Sequence, residues 1–290
     1  MATDAETAST ASSASTAAGS QGPRADLASD LRFASDVAAT AGELLIARYE
    51  RVERVDHKSA RDVVTEVDHL SEELILGEIR RRYPDDAILA EESGEHHAVK
   101  GEEATIARGR TWVVDPLDGT VNYANGIPFF CVSIALVIDG RPAVGVVLDP
   151  SRGECFAASR DTAATRNGER VEVSDKEKLS DFVVSLALGG RAAPSRTRAV
   201  RKAIRISRSM GSAALGLAYV ANGRFDAFVQ SAGLSAWDIA AAGLIAERGG
   251  ATVTDMSGAT WFDVTRPTRT IGILAAPPQH HPELLRLAAG

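Results

Sequence analysis

Cysteine is nearly absent: Cys131 and Cys155 are the only two thiols in 290 residues. Neither belongs to a CxxC pattern, which excludes a disulfide-stapled scaffold and a thiolate zinc cluster and suits a reducing, cytoplasmic compartment. Aromatic residues make up only 5%, so the core must be packed from Val, Leu, Ile and Ala. Long apolar runs are missing as well. The longest, near Cys131–Ile138, falls far short of the roughly 20 residues a membrane-spanning helix needs, and no membrane partner is expected. Nor is there an excess of positive charge: 32 Lys and Arg face 39 Asp and Glu, a formal charge of -7. That balance excludes a globally basic binder, and no nucleic-acid partner is expected. The basic run at 196–208 lacks interleaved aromatics and reads as one exposed helix face.

What remains is a chain with 44% apolar residues, long enough to bury roughly three quarters of its unfolded surface. Residues 1–25 are mostly Ala, Ser and Thr without an apolar centre, and read as a flexible tail rather than a secretory leader. Apolar residues recur at helical spacing over 26–49 and again over 65–83, where Pro84 ends the pattern. Two helices are therefore expected before the first clear strand. Strands are expected at 87–90 and 111–114, and a hairpin at 129–138 and 142–148 turning on Asp139-Gly140. Asn167-Gly168 marks another turn. A boundary inside 150–185 divides the body into 26–170 and 171–290. Beyond it the pattern predicts a strand at 182–188, helices at 197–205, 211–222 and 236–248, and short strands at 225–229, 251–254 and 270–275.

The segment from Trp112 to Asn122 carries the chemistry. An apolar strand has no packing reason to end in two carboxylates, yet Asp115 and Asp118 follow one at once. Pro116 stiffens the turn, and Gly119 permits a tight backbone before a short helix at Thr120, so both acids can converge with the Leu117 carbonyl. An all-oxygen set suits a hard cation such as Mg2+. Glu91 and Glu92 end another strand, where their repulsion calls for a cation or a basic group. Asp238 sits in the first turn of a helix, where it either complements the helix dipole or closes the metal site from the second half; the two readings are compatible.

Trp112-x-x-Asp115-Pro-x-Asp118-Gly-Thr120-x-Asn122, Glu91-Glu92-Ser93 and Trp237-Asp238 together resemble the inositol monophosphatase family of Mg2+-dependent phosphomonoesterases. The resemblance spans about residues 26–275. It implies a layered α/β/α/β/α fold, a homodimer, and hydrolysis of small phosphorylated polyols or sugars with two or three Mg2+ ions, Mn2+ being a substitute. It also implies that Glu91, Asp115 and the Leu117 carbonyl hold one ion and that Asp118 and Asp238 hold a second, with Asp115 bridging. Glu92 would support them from behind. Asp68, which ends a stretch running from Lys58 through Asp62 and Thr65, would pair with Thr120 to orient water and contact a third ion.

Hydrolysis by activated water needs no covalent nucleophile, and Ser93 lacks the His and elbow that would make it one. Gly119 and Thr120 can offer N–H groups to phosphoryl oxygens. Lys58 reads as a surface cation or a support of the site, and Asp62 stays open. His96 and His97 read as a solvent-exposed loop, and Trp112 and Trp237 as packing anchors. By resemblance, Arg208, Gly211, Ser212, Ala213 and Asp238 border the substrate pocket. Ser231 stands where inositol-cleaving relatives commonly place a Glu. Val121 stands where relatives acting on histidinol phosphate or adenosine bisphosphate often carry Lys, so the resemblance favours myo-inositol 1-phosphate, with histidinol phosphate, other sugar or polyol phosphates and nucleotide phosphates as the alternatives. A non-catalytic polyol-phosphate binder would have lost its metal ligands, and none is lost here.

Overall fold

The computed structural model describes residues 26–51, 55–59, 62–96, 109–191 and 193–289. The expected tail at 1–25 lies outside the described residues. Helix α1 (Leu27–Arg48) is capped by Asp26, whose side chain accepts the Ser29 N–H, and α2 (Glu66–Arg82) begins at the capping residue Thr65. Between them lies a hairpin that the periodicity does not predict, β1 (Val55–Ser59) and β2 (Asp62–Thr65). The expectation of two helices before any strand is thus corrected. After Val55 the strand is polar throughout, Asp56-His57-Lys58-Ser59, and shows no alternation for a strand pattern to catch.

Eight strands follow in one sheet: β3 (Ala87–Ala90), β4 (Gly94–His96), β5 (Arg110–Asp118), β6 (Cys131–Ile138), β7 (Arg141–Asp149), β8 (Glu154–Ser159), β9 (Thr165–Arg166) and β10 (Glu169–Arg170). Their order is β10-β9-β8-β7-β6-β5-β3-β4, antiparallel except where β3 runs parallel to β5. Both predicted turns carry left-handed residues, Asp139 (φ 50°) with Gly140 (φ 73°) and Asn167 (φ 52°) with Gly168 (φ 82°). That is the twist a two-residue hairpin requires.

A second sheet takes β11 (Val183–Ala187), β12 (Ile206–Arg208), β13 (Ala227–Leu234), β14 (Thr252–Thr254) and β15 (Ile271–Ala276) in the order β12-β11-β13-β15-β14. The helices after the short α3 (Thr120–Ala124) are α4 (Ala193–Ala203), α5 (Ala213–Ala218), α6 (Ala236–Arg248) and α7 (His281–Ala289). Two expected helices are reshaped. The one at 197–205 begins a turn earlier and yields to β12, and the one at 211–222 is α5 followed by a tighter 3-10 turn over Tyr219–Asn222.

Strand alternation sorts the core into layers. On β6, Val132, Ile134 and Leu136 face α1 and α2, while Cys131, Ala135 and Val137 face α5 and α6. On β13 and β15, Phe228, Ile273 and Ala275 join that central helical layer, while Val229, Leu274 and Ala276 face outward to α4 and α7. The stack is therefore α1/α2, eight-stranded sheet, α5/α6, five-stranded sheet, α4/α7, the expected α/β/α/β/α arrangement. Gly145 of β7 lets α6 close on the sheet. A Cβ there would stand 2.7 Å from the Ala241 carbonyl oxygen.

Candidate metal centre and substrate cavity

The site forms where the end of β5 meets the starts of α5 and α6. Parallel pairing of Ala90 with Val114 sets the residues that follow, Glu91 and Asp115, side by side, and the Glu91 N–H donates to the Val114 carbonyl at 3.2 Å. Three residues on, Asp118 closes β5 and Gly119 turns the chain at φ 98°. A Cβ on Gly119 would stand 3.0 Å from the Phe129 carbonyl oxygen, so both the conformation and the space demand glycine. Asp238 arrives from the first turn of α6, where its side chain accepts the Ser235 N–H at 2.6 Å. The capping reading and the site reading of Asp238 thus coexist in one side chain.

Asp115, Asp118 and Asp238 each present a carboxylate oxygen within 4.8 Å of the others, an arrangement that can hold a metal ion. Burial pushes the Asp115 carboxyl well above its ordinary range, and the charges of Glu91, Asp118 and Asp238 push the same way. Asp238 is raised well for the same first reason, then by Asp118. Burial also raises Asp118, opposed by hydrogen bonds from the Ser212 hydroxyl and the Ala214 N–H. Buried acids that repel one another are what a divalent cation stabilises, and the all-oxygen donor set fits a hard one.

Asp68 ties the site to α2. One oxygen accepts the Thr65 N–H (2.8 Å) and hydroxyl (2.6 Å), completing the capping box, and the other accepts the Thr120 hydroxyl at 2.8 Å. Thr120 Oγ1 also stands 3.0 Å from the Leu117 carbonyl oxygen. The backbone N–H of Glu92 donates to Glu72 at 2.9 Å. Trp112 is fully buried, donates from Nε1 to Asp86 at 2.9 Å and packs against Phe33 and Tyr83. Trp237 packs against the central helical layer and borders the cavity.

A cavity of about 360 Å3 opens above the carboxylates. Of the residues expected around it, Glu91, Asp115, Leu117, Asp118, Gly119, Thr120, Gly211, Ser212, Ala213 and Asp238 line it. Arg208 does not; it is exposed on β12 and donates to the Ser207 carbonyl. Ser231 is also off the wall, its hydroxyl accepting the Gly189 N–H at 2.7 Å, and Gln230 lines the cavity in its place. Ser185 and Arg269 on the wall were not anticipated. Arg269 lies on a loop at φ 61°, and no local pattern sends such a residue to a site contributed by distant segments. The side chains of Lys58, Asp62 and His96, and the whole of His97, lie outside what the structure describes.

A five-layer stack with an oxygen-only carboxylate cluster at the seam of its two sheets defines a metal-dependent, phosphatase-type enzyme. The chain belongs to the inositol monophosphatase family, whose model matches residues 26–289. It is 41% identical over 236 residues to the Nus factor SuhB of Pasteurella multocida, covering 79% of this chain and 85% of that one, and 38% identical to the Escherichia coli K12 protein of the same name over the same shares. Among solved structures, it resembles the extragenic suppressor protein suhB of Bartonella henselae (33% identity, TM-score 0.81, 90% of this chain and 98% of that one). The Thermotoga maritima IMPase is similar (33% identity, TM-score 0.79, 90% and 96%). The relatives named as Nus factors overturn one expectation. A transcription-related name at this identity does not fit a chain with no nucleic-acid partner, and the net charge of -7 misled because it averages over a surface of uneven sign. Among the described residues, no helix is long and apolar enough to cross a membrane.

Proposed function

We propose that this chain is a Mg2+-dependent phosphomonoesterase whose preferred substrate is myo-inositol 1-phosphate. The observation that carries the reading is the convergence of Asp115, Asp118 and Asp238 on one point at the floor of a cavity sized for a small ligand. In this reading Glu91, Asp115 and the Leu117 carbonyl would hold one ion, and Asp118 and Asp238 would hold a second beside Asp115. Bound there, Mg2+ supplies neutralisation of the phosphoryl charge and a lowered pKa for water.

The protein's own groups do the positioning. The Thr120 hydroxyl donates to Asp68, so its oxygen lone pairs are left to accept from a water molecule on the cavity side. That water is held in line with phosphorus, and its proton passes through Thr120 to Asp68 as the new P–O bond forms. The ester P–O bond breaks, and the leaving alkoxide takes up a proton from solvent water in the open cavity. Gln230 and Ser185, which also line the cavity, offer donors and acceptors to ring hydroxyls, and Gly211 leaves room for the ring.

Phosphate release from myo-inositol 1-phosphate, histidinol phosphate, fructose 1,6-bisphosphate and adenosine 3′,5′-bisphosphate, measured with and without Mg2+, tests this. The expected result is Mg2+-dependent release fastest from the inositol ester and abolished by Asp115→Asn. Equal or faster turnover of another ester would replace the substrate, and full activity in the variant would remove the site. The names of the relatives support a second, transcription-related role beside catalysis.

A further inference from the structure

Positive charge is concentrated in one stretch of this acidic chain. Residues 182–225 contain eight Arg and Lys and no Asp or Glu, so against a total of -7 the rest of the chain carries -15. Within that stretch Arg198, Arg201 and Lys202 follow the i, i+3, i+4 spacing that makes one face of α4, and Arg205 follows just past the helix end at Ala203. All four are exposed, while Val200 and Ile204 turn inward to the outer face of the five-stranded sheet. The helical part of the stripe, Arg198 to Lys202, rises about 6 Å at 1.5 Å per residue. Beside it is a hollow of about 580 Å3 bordered by Pro194, Thr197, Arg198, Arg201 and Lys202. Arg201 Nε donates to Ser207 on β12, which fixes the side chain along the ridge, and among the described residues Arg205 is the member paired with a carboxylate, Asp181. The remaining basic side chain of the helix, Arg196, is turned away to the Gly189 and Ala288 carbonyls.

We propose that this α4 ridge is a docking surface for single-stranded RNA, gripped through its phosphate backbone. Arg, Lys and Thr side chains on an exposed helix neutralise phosphates, and none of the Asn or Gln side chains that read base edges is present on α4. An acidic protein would need apolar or aromatic anchors at the centre of its contact, and the stripe has none. The choice of RNA rests on the transcription-related reading above; the charge geometry does not. The ridge lies apart from the carboxylate cavity, with which it shares no lining residue.

The test is fluorescence anisotropy of a labelled 20-nucleotide RNA titrated with the full chain over a range of salt. Arg198→Gln/Arg201→Gln/Lys202→Gln removes three charges while keeping good helix formers. Arg80→Gln/Arg81→Gln/Arg82→Gln, at the end of α2, removes the same number elsewhere. We expect the first variant to lose at least tenfold in affinity, and its slope of log affinity against log salt to flatten by about 2. The second should bind like the wild type. Thermal melts and phosphate release should be unchanged in the ridge variant, which separates failure of this surface from failure of the catalytic reading. No binding by the wild type, equal losses in both variants, or displacement of RNA by poly-glutamate at equal charge would each overturn the proposal.

Discussion

The Ser212 hydroxyl donates to Asp118 Oδ2 at 2.6 Å, and the Ala214 N–H donates to the same oxygen at the same distance. Ser212 also caps α5, accepting the Leu215 N–H. One buried hydroxyl therefore fixes both the start of a central helix and the orientation of a carboxylate 94 residues away. Ser212→Ala should weaken Mg2+ affinity by roughly 10- to 100-fold, as loss of a partner behind a metal ligand does, and cost about 1 kcal/mol in stability from the lost cap. Mg2+ titration of phosphate release, with urea melts alongside, checks both.

Cation binding should also register in stability. Asp115, Asp118 and Asp238 repel one another inside the protein, and an ion held by the native state alone stabilises it. At a hundred times its dissociation constant the gain is about 2.7 kcal/mol, or a melting temperature higher by roughly 5–10 °C in a domain of this size. Differential scanning fluorimetry in EDTA and in Mg2+ measures it. Asp238→Asn should abolish most of the difference.

Gly145→Ala tests how α6 is seated. The added methyl meets the Ala241 backbone at 2.7–2.9 Å, so helix and sheet must separate. We expect a loss of about 1–3 kcal/mol together with weaker Mg2+ binding, because Asp238 moves with the helix.

Gln230→Ala should raise KM for the polyol ester by roughly 3- to 10-fold, the value of about one hydrogen bond, and leave kcat near its original level. A fall in kcat with KM unchanged would give Gln230 a part in the chemistry instead.

The pH dependence of stability should carry a signature from His281. Burial at the start of α7 lowers its imidazole pKa below the usual 6.5, and Nε2 lies 3.0 Å from Thr254 Oγ1. A depressed folded pKa means the unfolded chain binds the extra proton more readily. The contribution is therefore present above about pH 6.5 and is lost as pH falls toward the folded value. Melting curves between pH 5 and 8 should fall on the acid side, and His281→Gln should flatten that fall.

Much of the fold was legible where local chemistry is decisive. Helix α6 spans Ala236–Arg248 as the pattern predicts, bounded by Ser235 and Gly249, and both two-residue hairpins turn on residues that tolerate positive φ. The carboxylates of the site were visible because an apolar strand ending in Asp115 and Asp118 has no packing explanation. Other features depend on distant partners. The three-residue β4 and β12 gain their identity only from neighbouring strands. Arg269 reaches the cavity through tertiary structure alone, and Gln230 lines the cavity where Ser231 was expected because adjacent strand residues point to opposite faces. Net charge hid the α4 ridge, since a sum over the chain does not locate it.

The seam between the two sheets also sets a clock. Asp118 and Asp238 are 120 residues apart in the chain, and a ribosome adding about 5–20 residues per second needs roughly 6–24 s to make that interval. Throughout that time the nascent chain displays half of a cation site and cannot close it. A cation that needs both acids could therefore not be captured before Asp238 has been made and has come together with the end of β5.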